Sequence, residues 1–131
     1  MYPNSFYRVS VKALIKDSDD RVLVLKEDQD TWSLPGGGLD HGEDPKLGIM
    51  RELKEELGIE HLRIKDIGSV KTFYLESKSA WLLWIVYDVE INTKDIILGE
   101  GVTDALYIDA SELEQSKDVF EKMVYSVATS A

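Results

Sequence analysis

The chain has 131 residues, 44% hydrophobic and 31% charged, with three prolines, nine glycines and no cysteine, which is the make-up of one globular domain and excludes a disordered tail, a disulfide scaffold and zinc-thiolate chemistry. A formal charge of −10 opposes contact with nucleic acid or an anionic membrane, so a phosphate-bearing ligand needs a cation in between. No apolar run reaches the length of a membrane span, and "MYPNSFYRVSVK" lacks the pattern of a secretory leader; with no thiol present, the expectation is a cytoplasmic protein.

In chain order, the alternation of "FYRVSVKALIKD" predicts a strand, "DSDD" a turn, and "RVLVLKE" a second strand that completes a hairpin. "DQDTWSL" then leads into Pro35 and three glycines, which read as loop because Gly-Gly-Gly holds a regular element only at an entropic cost. Asp44 is a natural N-cap, Pro45 suits the first helical turn and Gly58 is a C-terminal stop, so the spacing predicts a helix over 45–57. "IKDIGSVKTFYLES" and "AWLLWIVYDVEI" follow as strands, the second continuous enough to lie centrally in a sheet. "LGEGVTD" reads as loop, "ALYID" as a short strand and "SELEQSKDVFEKMVYSVA" as a closing helical segment with a break. There are no repeats, and strands flanking a central helix with another helix at the end predict layered sheet and helices of the α/β class.

The central helix carries the chemistry. Glu52, Glu55 and Glu56 fall within about 100° of one another on the helical wheel, where like charges repel. Ile49, Leu53, Leu57, Met50 and Leu47 fall in the opposite arc, the predicted core face. Gly48 lies in the acidic arc, where alanine would favour the helix by about 1 kcal/mol, and its missing side chain leaves room for something to approach. Oxygen donors alone, with only His41 and His61 elsewhere, suit Mg²⁺ or Mn²⁺ and suit zinc poorly. Taken by itself, "RELKEEL" favours a solvated face whose Arg51 and Lys54 trade salt bridges with the glutamates.

Spacing separates these readings. Gly37 is followed at fixed intervals by Glu43, Arg51, Glu52, Leu53, Glu55, Glu56, Gly58 and Ile59, nine specified positions over 23 residues. The stretch resembles the box of the Nudix hydrolases at every fixed position, and "TWSLPGGGL" resembles the usual approach to it. Gly48, Ile49 and Leu57 depart from the commoner residues at positions that concern packing. The resemblance implies a Nudix α/β/α sandwich, a mixed β-sheet between helices, as a single hydrolase domain over 1–131. It implies hydrolysis of a diphosphate joined to a nucleoside or similar group. The expected metal ligands are Glu52, Glu55, Glu56 and the Gly36 carbonyl, for Mg²⁺ or Mn²⁺. Arg51 is expected to orient the carboxylates and Glu43 to hold Arg51 or the loop. Pro35, Gly36, Gly37 and Gly38 would shape the loop, whose amides can face phosphate oxygens. The general base varies among relatives: either a box glutamate, with Glu55 first, or a later acid, for which Glu100 in "LGEGVTDALYI" stands equal with an exposed loop acid.

Among the remaining residues, Trp32, Phe73, Tyr74, Trp81 and Trp84 can stack on a base, although aromatics in strands are more often core; Trp84 is expected there, and Phe73 and Tyr74 on opposite faces. Arg8, Lys12 and Lys71 can meet phosphates, although scattered strand cations are usually solvated. An isopentenyl diphosphate isomerase reading would imply a catalytic cysteine, and messenger-RNA decapping would need a basic track. The expected partner is a small nucleotide or diphosphate, with no membrane and no nucleic-acid polymer; a homodimer and a catalytically weak, nucleotide-sensing domain stay open.

Overall fold

The computed structural model describes residues 5–27, 30–92 and 95–130. It contains six strands and two α-helices: β1 (Tyr7–Leu14), β2 (Val22–Lys26), β3 (Gly36–Gly38), α1 (Pro45–Leu57), β4 (Leu62–Leu75), β5 (Ala80–Ile91), β6 (Asp104–Ile108) and α2 (Val119–Thr129). A mixed sheet runs in the order β3-β1-β5-β4, with β1 and β5 parallel and the other pairs antiparallel, while β2 and β6 form a separate antiparallel pair.

Alternation sorts the strands into two cores. Val11 and Ala13 of β1, Leu23 and Leu25 of β2, and Tyr87 and Val89 of β5 pack with Ile49, Leu53 and Leu57 of α1. Val22 and Val24 of β2 and Leu82, Trp84 and Val86 of β5 pack with Val124, Val127 and Ala128 of α2. Sheet between helices gives the α/β sandwich.

Two expectations are corrected here. β1 and β2 do not form a hairpin ladder. The chain does turn back, Asp17 accepting from the Asp19 and Arg21 amides at 3.0 and 2.8 Å, and Lys16 bridges to Val22. Beyond that bridge β2 leaves for β6, because both edges of β1 are occupied by β3 and β5. The three glycines are not loop: Gly36, Gly37 and Gly38 pair with Lys12, Val11 and Ser10. Gly36 has φ 131°, and a Cβ there would run into the Val11 carbonyl oxygen, so glycine is what lets β3 lie so close to β1.

The 45–57 helix and strand 80–91 occur as expected, β5 lying centrally between β1 and β4. Asp44 caps α1 by accepting from the Lys46 amide at 2.9 Å, and Gly58 closes it in the left-handed conformation. The closing segment is broken into a short 3-10 turn, Ala110–Leu113, and α2.

Candidate active site

The face that α1 turns inward is the predicted one rotated toward the acids. Ile49, Leu53 and Leu57 are buried, but Leu47 is 60% and Met50 42% exposed, while Gly48 and Glu56 are buried. The helix is rolled so that its acidic side meets β3. The Gly36 amide donates to Glu56 Oε1 at 2.7 Å, and a Cβ on Gly37 would stand 2.7 Å from Glu52 Oε1. Gly48 makes room for Leu39 and Glu43, at 3.0 and 3.1 Å from where its Cβ would be.

Arg51 ties this wall together. Its Nε and Nη2 donate to the two Glu43 oxygens at 2.8 and 3.0 Å, a bidentate pair, and its Nη1 reaches Glu52 Oε1 at 3.2 Å and Glu55 Oε2 at 3.3 Å. Hydrogen bonding to Glu43 raises the Arg51 pKa, and the same bonds hold Glu43 below the usual carboxylate range. Burial pushes Glu52 up, with Arg51 opposing. Glu56 is pushed to about 8 by burial, with Lys12 and the Gly36 amide opposing and a hydrogen bond that its protonated form donates to Glu27 adding to the rise.

Lys12 is a correction to the sequence reading. It is only 8% exposed, and its Nζ donates to the Leu34 and Gly36 carbonyls at 3.2 and 3.3 Å and lies 5.1 Å from the Trp84 ring centre. Burial lowers its pKa against the pull of Glu56, Glu27 and Glu52. The sequence offers Lys12 as a candidate phosphate contact without favouring it, and gives no sign of Glu27. The available signal was a lysine in the inward alternation of β1, opposite Gly36, which a strand pattern without its neighbours does not reveal.

The donors beside β3 are all oxygens, which suits a hard divalent cation. In the present side-chain arrangement they do not converge: among the described residues no three acids stand close enough to hold a metal, since Arg51 engages Glu52 and Glu55, and the Gly36 amide engages Glu56. The Gly36 carbonyl faces Lys12. Glu55, with its side chain 58% exposed, is the most exposed of the three glutamates and is held by Arg51 at 3.3 Å.

Glu100 sits in an exposed turn; its neighbour Gly99 donates to the Glu56 carbonyl at 2.8 Å, which brings the turn against the end of α1. Pro35 is buried, and its carbonyl accepts from the Ala13 amide at 2.9 Å. Phe73 is 8% exposed and meets Trp84 edge-on, whereas Tyr74 and Trp81 are 42% and 49% exposed on the other face. Trp32 is half-buried under Lys26. Arg8 is exposed and lies over Gly38, Lys71 is half-buried, and His41 and His61 are exposed. No helix among the described residues is long and apolar enough to cross a membrane.

Comparison with known proteins gives a match of the NUDIX domain family model to residues 6–125. The chain is 36% identical over 64 residues to Nudix hydrolase 26, chloroplastic, of Arabidopsis thaliana, which takes in 47% of this chain and 30% of that protein. It is 39% identical over 64 residues to the RNA pyrophosphohydrolase of Vibrio vulnificus, taking in 48% and 37% respectively. The matched part thus spans about a third of these curated relatives. The crystal structure of a MutT protein from Methanosarcina mazei superposes with a TM-score of 0.79 at 23% identity, covering 97% of this chain and 96% of that one.

Proposed function

The chain belongs to the NUDIX domain family, and on that premise we propose that it hydrolyses a diphosphate bond, in a nucleoside diphosphate linked to another group or in a nucleoside triphosphate, by attack of water at phosphorus. The observation that carries this is the roll of α1: it buries Glu56 and half-buries Glu52 against the β3 glycines while leaving Leu47 and Met50 in solvent. Glu52, Glu55, Glu56 and the Gly36 carbonyl are the residues that would hold Mg²⁺ or Mn²⁺. Bound there, the cation would neutralise phosphate oxygens and make water acidic enough to attack.

The chain's own groups prepare that site. Glu43 fixes Arg51, and Arg51 keeps Glu52 and Glu55 on one side of the helix. Pro35 and the glycines of β3 bring backbone to the wall of carboxylates, where a side chain on Gly37 would collide with Glu52. Glu55 is the first choice for the base because it is exposed, and Glu100 is the second because its turn abuts the end of α1. One hydrolase domain over 1–131 in a reducing cytoplasm accounts for the composition.

A second reading, nucleotide binding without turnover, draws on one observation: Arg51 occupies Glu52 and Glu55. Both are tested by assaying nucleoside triphosphates, nucleotide sugars, ADP-ribose, dinucleoside polyphosphates, 5′-triphosphorylated RNA and a non-nucleotide diphosphate for phosphate or pyrophosphate release with Mg²⁺. Release from a small diphosphate that EDTA abolishes is the expected result. Binding of a nucleotide with no release from any substrate would leave the second reading standing.

A further inference from the structure

A cavity of about 310 Å³ opens beside β3, lined among others by Lys12, Glu27, Ser33, Gly36, Gly37 and Phe120. Two of its polar groups lack what their burial requires. A buried charge is costly unless paired, yet Lys12 takes part in none of the ion pairs among the described residues; its hydrogen-bond partners are two neutral carbonyls. An ammonium has three donors, so one remains. The Ser33 hydroxyl oxygen is buried and has no hydrogen-bond partner among the described residues.

Glu56, Glu27 and Glu52 pull on this charge, but among the described residues none of them takes a hydrogen bond from Lys12. Glu56 accepts from the Gly36 amide, and Glu27 is an exposed group on the cavity wall. Unused donors from a buried cation and a hydroxyl, facing one cavity, match an oxyanion. The cavity shares Gly36 and Gly37 with the carboxylate wall, so an anion seated in it lies beside α1. In a chain of charge −10, a phosphate entering next to three glutamates needs a fixed positive charge of its own.

We propose that Lys12 and the Ser33 hydroxyl form an anion subsite that holds one phosphoryl group of the diphosphate substrate. The inference rests on the hydrolase reading and adds to it the chain's own cation for the phosphate. Lys12 binds and positions; the metal ligands stay those on α1.

The test is calorimetric titration of the full chain with methylenediphosphonate, a diphosphate that cannot be hydrolysed, in saturating Mg²⁺. Lys12→Met is expected to weaken binding at least tenfold and Ser33→Ala about threefold. Lys12→Gln keeps a donor for the two carbonyls while losing the charge, and carries the test if the methionine variant does not fold. Binding within twofold of wild type in the folded Lys12 variants overturns the proposal. So does a loss that disappears when Mg²⁺ is raised tenfold, because Lys12 would then act on the metal. If wild type binds no methylenediphosphonate yet releases phosphate or pyrophosphate from a substrate of the panel, the subsite fails and the hydrolase reading stands; if it does neither, both fail.

Discussion

The two helices solve the same packing problem in opposite ways. α2 buries Val124, Val127 and Ala128 and uses its acids outside the core: Asp118 caps its first turn and Glu121 accepts from the Trp32 amide at 2.9 Å. α1 leaves Leu47 and Met50 in solvent and buries Glu56. Fully burying a leucine or methionine stabilises by about 1.5–3 kcal/mol, and placing a carboxylate in low dielectric costs several more. Hydrophobicity alone would therefore roll α1 the other way. What holds it is local: the Gly36 amide on Glu56, and the Glu43–Arg51 pair on Glu52 and Glu55. A helix that sets carboxylates against a glycine strand at the expense of apolar burial is what the proposed site requires, whereas α2 keeps its acids at a cap and a loop contact and lends the neighbouring cavity only Phe120.

The comparison can be broken first at the one point where the helices agree, their buried apolar seams. Leu53→Ala should destabilise by about 2–5 kcal/mol, as should loss of a comparable core side chain, and a denaturant titration reads it. Next comes the contrast between acids. Glu56→Gln should lower turnover at least about a hundredfold, a proposed metal ligand having become an amide, yet raise the melting temperature in EDTA above about pH 5, because the folded state no longer has to hold a carboxyl that burial pushes to about 8. In α2, Glu121→Gln should do the reverse. Turnover stays near wild type, while stability falls by about 1–2 kcal/mol through the weakened bonds to Trp32 and Ser116. A large loss of turnover in Glu121→Gln, or a lower EDTA melting temperature in Glu56→Gln, would erase the distinction. The smallest effect belongs to Leu47→Ala, which should change stability by less than about 0.5 kcal/mol despite removing a large apolar group. A cost like that of Leu53→Ala would mean α1 packs on its other side.

What the sequence shows follows the range of the forces involved. The limits of α1 were legible because Asp44, Pro45 and Gly58 act within one turn of where they stand. β5 was legible as central because both its faces are apolar. The box residues were legible from their spacing alone. β3 was hidden because three glycines become a strand only when β1 supplies the ladder, and the partner of β2 lies far along the chain in β6. The wheel grouped Leu47 and Met50 with Leu53 but could not say which side of the helix the sheet would take. The burial that sets Lys12 apart from Arg8 and Lys71 was hidden for the same reason, since it depends on Trp84 and on the carbonyls of Leu34 and Gly36.

On the proposed reading, α1 is held with its acids inward to bind a divalent cation. The most direct test of that reading is the melting temperature of the EDTA-stripped protein during a Mn²⁺ titration, for wild type beside Glu56→Gln. Mass action on the folded state should raise the wild-type transition in a saturable way that EDTA reverses, with the variant nearly unmoved. A wild-type transition that stays put at saturating Mn²⁺, or one that rises equally in Glu56→Gln, would contradict it.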